Sequence, residues 1–262
     1  MMARPSECVA INTFLLKCTL EIEHSRIYWQ HAGPGAGPID AQRVFEEFWF
    51  GSRSLPRVKY LLASLRLRFD AYPSALPVLS GWQHMAAETR RAICHWHLQL
   101  ADPLYRRFTG EFLVERRDQH RTDVTREVTT RWVEQQTDGR WGPAGCAKFA
   151  SQLLSTASAA GLLATNRDPR PMRYPTIDDE SLTYLMFLMR ETAFEGTLIE
   201  NPYLASVGLR DDILDRRLRR LTAMRFRRQG NLIDFDWQYS SLMDWARATV
   251  CATDAIPLRG AS

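Results

Sequence analysis

Arginine is the residue with chemistry to offer in this chain. Behind Asp211, residues Leu214, Leu218 and Leu221 recur at helical spacing. At 100° per residue, Arg216, Arg219 and Arg220 fall together on the opposite side of that predicted helix. Arg227 and Arg228 follow on what reads as the first strand or the turn of a hairpin. Residues 210–228 hold eight Arg against three Asp. A guanidinium is a planar fork of donors that suits phosphate oxygens, where it displaces counterions, and it can bond guanine in bidentate fashion. The pattern therefore points to nucleic acid. A solvated amphipathic helix with Asp212 and Asp215 pairing along its own face would look the same, and both readings stay open at this level.

Two more basic segments are candidates. No acid occurs from Phe48 to Phe69, where Arg53 precedes a predicted helix that carries Arg57, Lys59, Arg66 and Arg68. Arg167, Arg170 and Arg173 lie on a Pro-rich loop that reads as a second wing or as an ordinary surface loop.

Other chemistry is harder to build. Cys94-His95-Trp96-His97 offers metal-binding types, but they crowd one helix at a spacing that no structural zinc site uses, so core packing is the expectation. Ser151 to Ser158 has no nucleophile-elbow context and reads as a small-residue packing face. The paired acids Asp178-Asp179 are explained by a helix start. Phosphate-loop, dinucleotide and H-E-x-x-H patterns do not occur. The expectation is a protein without catalytic machinery, cofactor or metal.

The bulk composition agrees with a folded, reduced protein. The chain has 262 residues, 45% hydrophobic and 24% charged, with a net charge of only +4. That is too apolar for disorder and too balanced for a basic tail, so any nucleic-acid footprint must be a local patch. Only Lys17, Lys59 and Lys148 among the 34 basic residues are lysine. GC-rich codon usage would give that bias too, so the placement of the arginines carries the argument. Five scattered cysteines without a CxxC pair suit a cytoplasmic location. The apolar stretch 8–20 is interrupted by Asn12 and Lys17, so neither a membrane anchor nor a signal peptide is expected.

The elements that must position these residues read as mainly helical. Helices are predicted over 12–30, from a cap at Asp40, from a first-turn Pro56 to Phe69, over 86–101, from Asp102-Pro103 to about 116, and over 122–136. The breaker run 137–143 is the predicted boundary between a helical bundle domain, 1–137, and a second domain, 138–262. The second half predicts a helix closed by Gly161, short strands at 162–165 and 172–177, and helices over 179–193, 201–207 and 211–223. A hairpin over 225–237 turns at Gln229-Gly230-Asn231. That order is the order of a winged helix-turn-helix, whose last helix enters the major groove while the hairpin rests on the flanking backbone. The fold class expected is thus mainly α, with a winged-helix-like C-terminal domain carrying short β-hairpins.

Several blocks resemble the BrxA family of BREX phage-defence proteins. They are Ser52-Arg53-Ser54 with the helix to Arg68-Phe69, Leu100-Ala101-Asp102-Pro103-Leu104-Tyr105 on to Phe112, and Trp141 with the helix closed by Ala160-Gly161-Leu162-Leu163. Pro175-Thr176-Ile177 and Asp236-Trp237-Gln238-Tyr239-Ser240-Ser241-Leu242 complete them. The likeness runs over roughly 12–248, while the Gly/Pro run 33–38 has no place in it. It implies a small DNA-binding subunit, an N-terminal part similar to the NusB fold, and other BREX proteins as partners. It supplies no catalytic residue. The function expected is binding of double-stranded DNA; the alternatives are an assembly subunit whose Arg faces meet acidic proteins, or an RNA binder.

Overall fold

The computed structural model describes residues 4–35, 37–230 and 232–252. The predicted first helix is the clearest correction. Only a 3-10 turn (Phe14–Leu16) and α1 (Ile22–His31) form in its place. The backbone between them is claimed from outside: the buried Arg68 guanidinium donates to the carbonyls of Cys18, Thr19 and Leu20, and Arg57 donates to that of Lys17. Carbonyls held this way do not join an i to i+4 ladder.

Capping and proline signals place the next helices where the sequence predicts them. Asp40 accepts from the backbone N–H groups of Gln42 and Arg43 to start α2 (Ala41–Glu46). Pro56 opens α3 (Leu55–Phe69), which buries Val58, Leu61, Leu62 and Leu65. A short α4 (Ala75–Gly81), without a sequence signal, packs against α1.

α5 (Ala87–Ala101) is buried on all sides from Ala92 to Ala101, as a central helix must be. It touches α1 and α3, and its two histidines are held as parts of the core. His95 bonds Tyr105 Oη and Ser206 Oγ, each at 2.9 Å. His97 Nδ1 donates to the Arg68 carbonyl at 2.8 Å, which leaves Nε2 to accept from Tyr184 Oη at 2.7 Å. Asp102 then caps α6 (Pro103–Arg107) by accepting from the Tyr105 N–H. The helix continues through one π-helical turn (Phe108–Phe112) into α7 (Leu113–Asp118).

The strand β1 (Asp123–Val124) leads into α8 (Arg126–Gln136), shorter than the predicted 122–136. The breaker run predicted to divide two domains is a turn between two packed helices, α8 and α9 (Pro143–Ala159). Gly161 closes α9 at φ 82°, as its position predicts. Of the strands expected at 162–165 and 172–177, only a Leu163–Met172 bridge forms. The ladder is instead β2 (Arg170–Pro171), antiparallel to β1 across the expected boundary. One core of buried side chains runs from Leu15 to Ala246, so the two halves share it.

α10 (Asp179–Glu191), capped by Asp178, is buried from Ser181 to Met189 and packs on α5. Then come α11 (Pro202–Ser206), capped by Asn201, and α12 (Asp211–Leu218). The hairpin β3 (Met224–Gln229) and β4 (Leu232–Trp237) follows with Arg228 opposite Ile233, and α13 (Leu242–Ala248) covers α4 and α10. The protein is thus mainly helical, with two small antiparallel two-stranded sheets among the described residues. No helix among them is long and apolar enough to cross a membrane.

Candidate nucleic-acid interface

α12 is two turns long, ending at Leu218 where the sequence suggested 223. Leu214, Leu218 and the following Leu221 are buried as their spacing requires. The opposite side is solvent-exposed and carries Asp212, Ile213 and Arg216, with the exposed Arg219 and Arg220 on the turn that follows the helix. Asp211 is the first helical residue rather than the cap; it has φ 49° and Arg210 occupies the cap position.

The arginines of this face differ in freedom. Arg216 bonds only the Asp212 carbonyl of its own helix, at 3.2 Å. Arg220 has no acidic partner among the described residues. Arg219 lies 3.5 Å from Asp215 and over the Phe226 ring, with half of its side chain still exposed. Arg217, between them, is drawn inward to Asp179 and the Ile177 carbonyl, both at 2.8 Å.

The hairpin corrects two expectations. Arg228 points to the inner face and meets Asp215 at 3.4 Å, the same buried carboxylate that holds Arg219. Arg227 lies on the outer face, because side chains alternate along a strand. That face pairs Arg227 with Asp234 and Arg225 with Asp236 in register, so it is electrically balanced. The hairpin therefore adds no net positive charge there. Arg225, on the same face, is not among the residues predicted from the sequence, although its period-two spacing from Arg227 is the signal that finds it.

The second candidate segment divides by burial. Arg68 is 1% exposed and committed to three carbonyls; burial lowers its pKa, and the nearby Cys18 and Glu21 oppose that. Arg57 is half-buried, bonded to Glu21 at 3.1 Å and to the Lys17 carbonyl. Both hold the 17–21 segment and are unavailable to a ligand, which removes them from the interface. Arg53 and Arg66 are exposed, Arg66 resting on the Ile39 carbonyl. In the third segment Arg170 is buried and 2.8 Å from Asp168, so it too is structural. Arg173 is exposed but donates to the Gly161 carbonyl at 3.0 Å. Arg167 is exposed without an acidic partner among the described residues.

What remains is the exposed side of α12 and of the turn after it, with Arg216, Arg219 and Arg220 presented over the buried Leu214, Leu218 and Leu221. Such a face can neutralise phosphates or reach base edges. No family model matches the chain, and none of the curated proteins matches it.

Proposed function

We propose that this protein is a non-catalytic subunit that binds double-stranded DNA, of the kind its resemblance to the BrxA family implies, and that it serves a BREX-type phage-defence system. α10, α11, α12 and the β3–β4 hairpin act as a winged helix-turn-helix, with α12 facing the major groove. The observation that carries this reading is the exposure of Arg216, Arg219 and Arg220 along α12 and the turn after it, a segment anchored by the buried Leu214 and Leu218. The exposed Arg53, Arg66 and Arg167 are secondary phosphate contacts.

One observation favours a second reading. The outer hairpin face is charge-balanced and Leu232 near its tip is 77% exposed, which suits a protein contact better than a phosphate backbone. On that reading the protein is an assembly subunit. Retardation of a labelled duplex separates the two: the wild-type chain retards it and the R216E/R219E/R220E variant does not, at matched salt. Absence of retardation by the wild type leaves the assembly reading.

A further inference from the structure

A cleft of about 710 Å³ lies away from the outward face of α12. Its walls are the 7–11 segment, the π-helical turn with its flanking helices, the 195–202 loop, α11 and the inner side of α12. Gly110 of the π-turn is what lets α11 close this wall: a Cβ there would stand 2.4 Å from Pro202 Cβ and 2.6 Å from the Pro202 carbonyl oxygen.

The cleft has an apolar lining and unpaired carboxylates, unlike the exposed Arg216, Arg219 and Arg220. Val9, Ile11 and Pro202 supply apolar surface above the buried Val114, Ile199 and Leu214, and Val9 is 79% exposed. All four arginines of the lining are already committed. Arg106 donates to the carbonyls of Gln99 and Cys8, and Arg107 to Gln136 at 2.8 Å. Arg210 meets Asp118 at 2.9 Å and Arg228 meets Asp215. The carboxylates of Glu111, Glu195, Glu200 and Asp211 have no hydrogen-bond or ion-pair partner among the described residues. Burial raises the Glu111 carboxyl above its ordinary range and Glu195 adds to this, against Arg107. A cation seated beside Glu111 and Glu195 favours their charged forms and offsets their mutual repulsion. The same acids repel nucleic-acid phosphate.

We propose that this cleft docks a segment of a partner protein that carries basic and apolar side chains, its cations on Glu111, Glu195, Glu200 and Asp211 and its apolar residues on Val9, Ile11 and Pro202. An acidic rim around apolar surface selects such a segment by charge complementarity. The inference does not depend on DNA contact by α12.

The test uses a fluorescent synthetic peptide of alternating arginine and leucine, with a glutamate and leucine peptide as its counterpart, and fluorescence anisotropy on the full chain. The expected result is binding of the first peptide only, weakened roughly tenfold by Glu111→Lys with Glu195→Lys. Val9→Asn, at an exposed position, keeps the fold and the charge and weakens binding too. Glu88→Lys with Glu134→Lys, outside the cleft, leaves it unchanged. Equal weakening in the cleft and control variants, binding of both peptides alike, or no binding of the arginine peptide overturns the proposal. Duplex retardation by the same cleft variants is unreduced, so the result is independent of the α12 reading.

Discussion

Arg228 Nη1 lies 3.4 Å from Asp215 Oδ1, and this contact ties the hairpin to α12. The other oxygen of the same carboxylate is 3.5 Å from Arg219. One buried acid thus restrains two of the five arginines that the sequence singles out around the last helix. It limits how much free positive charge this segment presents and links the hairpin to α12. A shared carboxylate of this sort contributes modestly to stability because both guanidiniums keep some solvent.

Removing that restraint separates stability from binding. Asp215→Asn is expected to lower unfolding stability by about 1 kcal/mol, read by urea titration. It is also expected to tighten duplex binding, because Arg219 and Arg228 gain freedom and the face gains one positive charge. Weaker binding with an intact fold would show that Asp215 positions the arginines rather than masking them.

Arg68 and Arg53 differ in role although both lie in the acid-free stretch around α3. Arg68→Leu strips the donors from the carbonyls of Cys18, Thr19 and Leu20 and is expected to cost about 3 kcal/mol. Arg53→Ala, at an exposed site, is expected to change stability by less than about 0.5 kcal/mol. Denaturant midpoints of the two variants check the contrast; equal midpoints would refute the structural role of Arg68.

The core histidines predict acid sensitivity. Burial presses His95 down to about 3 and His97 to about 4, while each titrates near 6.5 in an unfolded chain. Both are neutral in the fold, so their stability is complete above about pH 6.5 and falls as pH drops toward 4, when the unfolded state takes up protons. Asp102 acts the other way, since burial pushes its carboxyl up to about 6, and its protonation on acidification favours the fold. The net expectation is a loss of roughly 2 kcal/mol between pH 7 and pH 5, with two imidazoles outweighing one carboxyl. Urea titrations at the two pH values measure it, and unchanged stability would contradict the neutral, buried assignment.

Gly110 is a sharp packing test. Gly110→Ala places a methyl against the Pro202 backbone, and strain of about 1–3 kcal/mol is expected. A melting temperature equal to the wild type's would mean that α11 and the π-turn separate easily.

Much of the fold is legible in the sequence because local signals act locally. Asp40, Pro56, Asp102, Gly161, Asp178 and Asn201 each begin or end a helix for reasons contained in a few neighbouring residues. The alternation of Ile233, Phe235 and Trp237 marks the second hairpin strand in the same way. What escapes depends on distant partners. The helix expected over 12–30 is broken by Arg68, 48 residues beyond Leu20. The boundary expected at 137–143 vanishes because β1 pairs with β2 across it.

The candidate interface is legible in part for the same reason. Periodicity alone puts Arg216, Arg219 and Arg220 on one side of a helix, and the structure exposes all three, although α12 stops at Leu218 and Arg219 and Arg220 sit in the turn after it. It does not show that Arg57, Arg68 and Arg170 turn inward, because a buried arginine and an exposed one look alike until the groups they bond are known. The i, i+4 spacing of Asp215 and Arg219 suggests a pair, but the reach of Arg228 across to Asp215 requires the hairpin to be in place. The frayed end expected from about Thr253 lies outside the described residues.

The most direct test of the α12 assignment is the salt dependence of duplex binding, with log K plotted against log salt concentration for the wild type and for Arg216→Ala with Arg220→Ala. The assignment predicts a steep inverse slope for the wild type and a slope shallower by about 2 in the variant, since each arginine neutralises one phosphate. Identical slopes for the two proteins would contradict it.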